Sequence, residues 1–297
     1  MPTSKLVSFE DFLAGADVKP LPGPDDNPAW PPMIDHLSAS SLGTLDRCAE
    51  VFRRRYILGE VERPNINMTW GSAVHQTHEE NFVQKIESHE DLDVRLVQDI
   101  YRQKLADSIV RDEEKTKKEM EWTQGLTFEK VIDRGVEMVA AYHLKASPRI
   151  QPIAVEQRFE VPFPGSPVPI IGFVDVETEN RGIDQKTTAR KEMKPEWRAQ
   201  GHIYAGVLNK PLEYHLTVKT ATPQVIVGSE WDELTIPFTP SSAMKAAHYI
   251  RQGVAKIQFL YQTYGPYEPW PGAYFQPGSR LCGICGFRPS CFWTSET

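Results

Sequence analysis

The chain has 297 residues, 40% of them hydrophobic and 25% charged, which are the proportions of a globular protein with one large domain or two small ones. No apolar run reaches the roughly 18 residues a membrane span needs, and the opening MPTSKLVSFEDFLAGADV lacks the apolar stretch of a secretory leader. A cytoplasmic protein without a membrane partner is therefore expected. The net charge of −7 argues against coating nucleic acid through bulk charge but leaves room for a local basic patch.

Residues 1–37 hold six prolines between 20 and 32, so this stretch is expected to be an irregular arm draped on the surface. From 38 the text changes. Ser38 suits a helix cap, and Leu42, Leu45, Ala49, Phe52 and Tyr56 keep helical spacing through LSASSLGTLDRCAEVFRRRYIL, which predicts one helix with Cys48 beside its apolar stripe. GSAVHQTHEENFVQKI (71–86) predicts a second helix, with His75, Glu79, Phe82 and Ile86 on one face. Residues 91–122 read as one or two long solvated helices and 127–146 as another. The period then switches to two. Strands are predicted over 153–161, 169–179 and 182–188, with Asn180-Arg181-Gly182 as a tight turn whose glycine serves a strained position. A helix over 195–208 opens on Pro195, strands follow over 213–220, 223–229 and 234–239, and a helix covers 241–264. The order predicts a mixed α/β domain over 38–297, with a helical insertion at about 88–150 ahead of the strands.

Two groups of residues carry chemistry. In GIDQKTT, Asp184 and Lys186 stand two apart on a strand and so share a face, while Asp175 lies on the preceding strand. Two carboxylates brought together repel unless a cation lies between them. Oxygen ligands suit Mg²⁺ or Mn²⁺, and a lysine alongside can orient a water or neutralise developing charge. Taken alone, the bland alternative is a surface ion pair on an edge strand. His75, His78 and Glu79 form H-x-x-H-E, which lacks the i, i+4 histidine pair of a zinc protease helix. Glu156 reads as a structural strand acid. The second group is CGICGFRPSC, with Cys282, Cys285 and Cys291, joined by the distant Cys48. Four thiolates suit tetrahedral zinc or an iron–sulfur cluster, and a single C-x-x-C knuckle favours the cluster.

These pieces, in this order, resemble the PD-(D/E)XK nuclease superfamily in its RecB-like iron–sulfur branch, which includes CRISPR-associated single-strand exonucleases and related phage exonucleases. SSLGTLDRCAEVFRRRYI is similar to the family's opening helix with the first cluster cysteine, GSAVHQTHE to its histidine helix and IIGFVDV to its G-x-x-D strand. GIDQKTT, AQGHIYA (a Q-x-x-x-Y helix) and CGICGFRPSC complete the series. The resemblance implies a restriction-endonuclease-like core. It implies a catalytic Mg²⁺ or Mn²⁺ held by His75, Asp175, Asp184 and the Gln185 carbonyl, and a water attacking phosphorus near Lys186, which either helps to deprotonate it or stabilises phosphoryl charge. Gln200 and Tyr204 would position the DNA strand or Lys186, and Cys48, Cys282, Cys285 and Cys291 would hold a 4Fe-4S cluster, with Zn²⁺ the alternative. The expected partner is DNA, single-stranded or with a free end, degraded 5′ to 3′ in recombination, repair or CRISPR and phage DNA processing, alongside protein partners in a bacterial or phage-infected host cytoplasm. Candidate DNA contacts are Arg53, Arg54, Arg55, Arg190, Trp197 and Arg198, with Tyr267 and Trp270 as stacking platforms. The rival readings are a catalytically silent DNA-binding adaptor of the same fold and a redox-sensing iron–sulfur protein. The acid before Lys186 is Asp where the family more commonly has Glu, and the stretch 88–150 is longer than the family core requires.

Overall fold

The computed structural model of the chain describes residues 29–272 and 281–294; most of the Pro-rich arm lies outside them. Helix α1 (Ala39–Arg47) opens on a capping box, in which the Ser38 hydroxyl accepts from the Ser41 N–H at 3.0 Å and the Ser41 hydroxyl accepts from the Ser38 N–H at 2.9 Å. The continuous helix expected to run to Leu58 does not form. Cys48 is extended (φ −162°, ψ 111°), a short α2 (Ala49–Phe52) restarts, and Arg53–Ile57 winds as a π-turn. The break lets Cys48 leave the apolar stripe and face the C-terminal cysteines.

Three helices follow: α3 (Ile66–Ser88), α4 (Val94–Thr116) and α5 (Phe128–Lys145). Residues 118–122, expected to be helical, are not. Trp70, Val74, Tyr101, Leu105, Val131 and Met138 form a core of these helices' own. The helical lobe therefore begins at α3, earlier than position 88, and α3 serves both lobe and sheet.

The sheet consists of β1 (Ala154–Val161), β2 (Ile170–Glu177), β3 (Gly182–Thr188), β4 (Leu212–Val218), β5 (Gln224–Ile226) and β6 (Thr235–Ile236). Its order is β1-β2-β3-β4-β5, with β6 also paired to β4. All pairs are antiparallel except β3 with β4, which are parallel and joined through α6 (Pro195–Leu208). This is the mixed α/β sheet flanked by helices that the sequence predicted. One face packs on α1, α6 and α7 (Pro240–Tyr264) through Phe159, Val174, Ile203, Leu216 and Ile250; the other packs on α3 and α5 through Phe82, Tyr142, Val176 and Ile183. Gly182 does not serve a strained turn, since it lies within β3 with ordinary backbone. A Cβ there would come within 2.3 Å of Leu208 and 2.9 Å of Leu212, so its role is close packing. No helix among the described residues is long and apolar enough to cross a membrane.

Candidate active site

Strands β2 and β3 pair at just two positions, Val176 with Ile183 and Glu177 with Gly182, closed by a turn in which the Thr178 N–H bonds the Arg181 carbonyl at 2.9 Å. Beyond these positions β3 pairs with β4, and β2 and β3 part like a fork. Asp175 and Asp184 are the first residues past the last pair, so both carboxylates sit where the strands separate. Asp175 Oδ2 accepts the Gln185 N–H at 2.7 Å and so takes the place of a missing ladder bond.

His75 reaches the fork from α3. Its Nε2 is 2.8 Å from Asp175 Oδ2, and its Nδ1 is 3.5 Å from Glu156 Oε1 on β1. The donor atoms of His75, Glu156 and Asp175 lie within 4.8 Å of one another. Asp184, 1% exposed, has Lys186 Nζ at 2.6 Å from Oδ1 and accepts from Gln200 Nε2 at 3.0 Å on Oδ2. The Lys186 side chain is 22% exposed. Tyr204 lies beneath: its ring meets Phe159 edge-on at 5.2 Å, and its hydroxyl engages the Gln200 side chain. Lys186, Asp184, Asp175 and His75 are thus gathered at one place, with Gln200 and Tyr204 backing them.

Glu156 was missed. It stands opposite Asp175 in the β1–β2 register, between Val155–Val176 and Gln157–Val174. It also holds a left-handed backbone, φ +48°, in mid-strand. Like charges facing across a strand pair repel, and a left-handed non-glycine residue costs about 1–3 kcal/mol. The sequence offers no signal for this, because Glu156 alternates with Arg158 and Glu160, an exposed ion pair at 2.6 Å.

The electrostatics are those of acidic groups crowded around one imidazole. Burial, and then the Asp175 anion, push Glu156 up to about 7. Burial opposes protonation of His75, yet Asp175, Glu156 and Asp184 carry the imidazole up to about 9. Burial would also raise Asp175, but the His75 charge and hydrogen bond hold it below the usual range; Asp184 is raised by burial and by Asp175 against the pull of Lys186. Glu156 Oε1 is buried and accepts no well-formed hydrogen bond. A buried carboxylate oxygen without a donor, beside a second carboxylate and an imidazole, suits a hard divalent ion, so these residues fit such a metal. His78 takes no part: it is buried against Tyr142 with ring centroids at 4.3 Å, and burial takes its pKa down to about 3.

Cys48, Cys282, Cys285 and Cys291 line one cavity of about 780 Å³, with Arg55, Trp122 and Trp293 also on its wall. Burial, and then nearby Glu62, Cys48 and Cys291, raise the Cys285 thiol. Among the described residues, the His75 group is the one set of three donors drawn within 4.8 Å. The cysteines are therefore spread wider than the sulfur–sulfur edges of about 3.8 Å that Zn–S bonds near 2.3 Å impose on a tetrahedron.

Several expected DNA contacts face inward. Arg53, 6% exposed, donates to Glu50 at 2.8 and 2.7 Å and to the Pro266 carbonyl; Arg54, 7% exposed, pairs with Glu60 and lies over the Phe287 ring. Both tie the π-turn to the C-terminal segment and are not free to meet phosphate. Trp270 is fully buried against Phe52, which removes it as a stacking platform. Trp197 stacks on Tyr214 beneath Lys194. Arg55 pairs with Glu62 at 2.6 Å. Arg190, Arg198 and Tyr267 remain exposed.

The fold and its acidic fork, with a lysine two residues along one prong, are those of a class of phosphodiester-hydrolysing enzymes. The chain belongs to the PD-(D/E)XK nuclease superfamily, whose family profile matches residues 36–292. Its sheet and flanking helices are accordingly a restriction-endonuclease-like core. No curated protein matches the chain in sequence. Among solved structures it is similar to a Eubacterium rectale protein named "Putative exonuclease", with 13% identity over 84% of this chain and 86% of that one and a TM-score of 0.47.

Proposed function

We propose that the chain is a Mg²⁺- or Mn²⁺-dependent deoxyribonuclease that degrades single-stranded DNA or DNA from its ends, built as a single nuclease domain over 38–297. The observation that supports this reading is the group of His75, Glu156 and Asp175 at the fork, with donor atoms within 4.8 Å of one another, and Asp184 paired to Lys186 beside it. His75, Asp175, Asp184 and the Gln185 carbonyl would hold the divalent ion, with Glu156 beside them. When bound, the ion supplies Lewis-acid stabilisation of phosphoryl charge. Lys186 is kept protonated, since the Asp184 and Asp175 charges outweigh its burial, and it offers a fixed positive charge where the attacked phosphate gathers negative charge. Gln200 fixes Asp184 Oδ2, so the carboxylate cannot rotate away from Lys186.

The cysteines are read as ligands of a 4Fe-4S cluster. The support is the cavity that all four share. Such a group would join the break at Cys48 to the C-terminal segment, a structural role.

The test uses protein purified without air, assayed for iron and sulfide and incubated with end-labelled linear and with circular single-stranded DNA. Linear DNA should be degraded only with Mg²⁺ or Mn²⁺, and circular DNA should survive. Asp184→Ala and Lys186→Ala should lose activity by about 10²–10³-fold, in the range of losing one charge-stabilising group, while keeping the wild-type circular dichroism spectrum. Full activity in either variant, or DNA left intact by the wild type, rejects the reading; equal degradation of circles rejects its exonuclease part.

A further inference from the structure

Gln185 lies between the two residues expected at its sides, Asp184 and Lys186, but its side chain points the other way. Along β3 successive side chains alternate across the sheet. Asp184 and Lys186 face α6, where Gln200 and Tyr214 meet them. Gln185 faces α5, where its Nε2 donates to the Tyr142 hydroxyl at 3.0 Å. The Tyr142 oxygen is 2.9 Å from His215 Nδ1, His215 Nε2 is 3.1 Å from Glu213 Oε1, and Glu213 Oε2 is 2.8 Å from Arg181 Nε. Tyr142 is fully buried, His215 2% exposed and Glu213 7% exposed, so this file of polar groups crosses a region otherwise filled by Phe82, Val176, Ile183 and Val225.

The donors and acceptors in this file can be assigned in one direction. A glutamine NH₂ can only donate, so the Tyr142 oxygen accepts from it and turns its own hydrogen to His215 Nδ1. His215 Nδ1 is then the unprotonated nitrogen, and Nε2–H donates to Glu213. Burial holds the His215 pKa below its ordinary value, in keeping with a neutral ring. At the other end, the Gln185 N–H donates to Asp175 Oδ2, which also meets His75 Nε2. The Gln185 residue is thus held at both ends: its side chain by the file, its peptide by Asp175.

We infer that Tyr142, His215 and Glu213 are positioning residues for the metal site, acting through the Gln185 side chain to hold the Gln185 peptide, and with it the Asp175 carboxylate, in the orientation that binds a divalent ion. This rests on the reading of the fork as a metal site. A buried polar chain is costly, the more so here because Gln185 Oε1 is buried without a hydrogen-bond partner, and a purely structural filling of this pocket needs no polar atoms. Outer hydrogen-bond partners of metal ligands typically change affinity by about 10–100-fold when removed.

The test titrates the metal-free full-length protein with Mn²⁺ and follows free Mn²⁺ by electron paramagnetic resonance, independently of any cleavage. Tyr142→Phe and Gln185→Met should each weaken Mn²⁺ binding by about 10-fold or more. Tyr101→Phe is the control: it removes another buried tyrosine hydroxyl, bonded to the Val131 carbonyl at 3.0 Å in the helical lobe, and should leave Mn²⁺ affinity unchanged despite a similar loss of stability. If Tyr142→Phe fails to fold, the half-buried Gln185→Met carries the test alone. Wild-type affinity in Gln185→Met, with binding lost in Asp175→Ala, overturns the inference and leaves the metal site standing. Wild-type affinity in Asp175→Ala overturns both.

Discussion

Lys219 shows how much a single side chain can depart from its type. It follows β4 directly; its ammonium lies 4.3 Å from the centre of the Trp70 ring and 3.3 Å from the Asn67 carbonyl, at the first turn of α3. The positive end of a helix dipole is a poor place for a cation, and burial takes the Lys219 pKa down to about 8. The folded chain therefore binds fewer protons here than the unfolded one between about pH 8 and the lysine range near 10.4. Stability from this group is full above that window and is lost as pH falls through about 8. Lys219→Met should raise stability at pH 7 by about 1–3 kcal/mol, the cation–π contact offsetting part of the gain, and should flatten the rise in urea midpoint between pH 8 and 10. A variant less stable than wild type at pH 7 would contradict this account. The same scale marks what a reader of the sequence can see. Asp184 and Lys186 were visible because two residues along a strand is one face. Glu156 was hidden because its conflict lies in a cross-strand neighbour and a backbone angle, neither of which is written in its surroundings.

Among the elements, α4 and α5 meet without room to spare. A Cβ on Gly135 would fall 2.0 Å from the Tyr101 ring, which is itself fully buried. Gly135→Ala forces that ring aside; although alanine favours helices by about 1 kcal/mol over glycine, overpacking costs about 1–3 kcal/mol. The expected result is a net loss of up to about 2 kcal/mol in urea unfolding, with the double variant Gly135→Ala/Tyr101→Leu recovering most of it. Most helices and strands could be read from their period, and α1 also from its cap at Ser38, whereas α3 begins at Ile66, capped by Asn65, five residues before the expected start. The break at Cys48 could not. Its neighbours keep helical spacing on both sides, and the reason for the break is the distant cysteine segment that Cys48 faces.

Over the whole molecule, the C-terminal segment is fastened to the opening helices by buried charge. Glu50, 2% exposed, accepts from Arg53 and, at 2.8 Å, from the Trp270 N–H; Arg54 bonds the Phe287 carbonyl and the Ser290 hydroxyl. Glu50→Ala leaves Arg53 buried without its counter-charge and should cost about 3–5 kcal/mol, read as a lower denaturant midpoint and earlier proteolytic release of the C-terminal segment. Glu50→Ala with Arg53→Met should be milder than Glu50→Ala alone, because no orphaned charge remains. The run RRR looked like a binding patch in the sequence because charge is usually surface. Nearby counter-charges on Glu50 and Glu60, together with carbonyl and hydroxyl acceptors more than two hundred positions away, hold two of the three arginines inside.

The parallel pairing of β3 with β4 also bears on which length changes the chain can absorb. Gln200 reaches Asp184 because α6 is the connector between those two strands and presents its second turn over the fork. Residues added in the stretch 189–194, before the helix begins, would bulge outward and leave that reach intact. A single residue added between Gln200 and the buried run Gly201–Leu208 would instead turn Gln200 by about 100° relative to the packed part of the helix and aim it away from the carboxylate. Added length is therefore absorbed ahead of Pro195 and breaks the reach once it falls after Gln200.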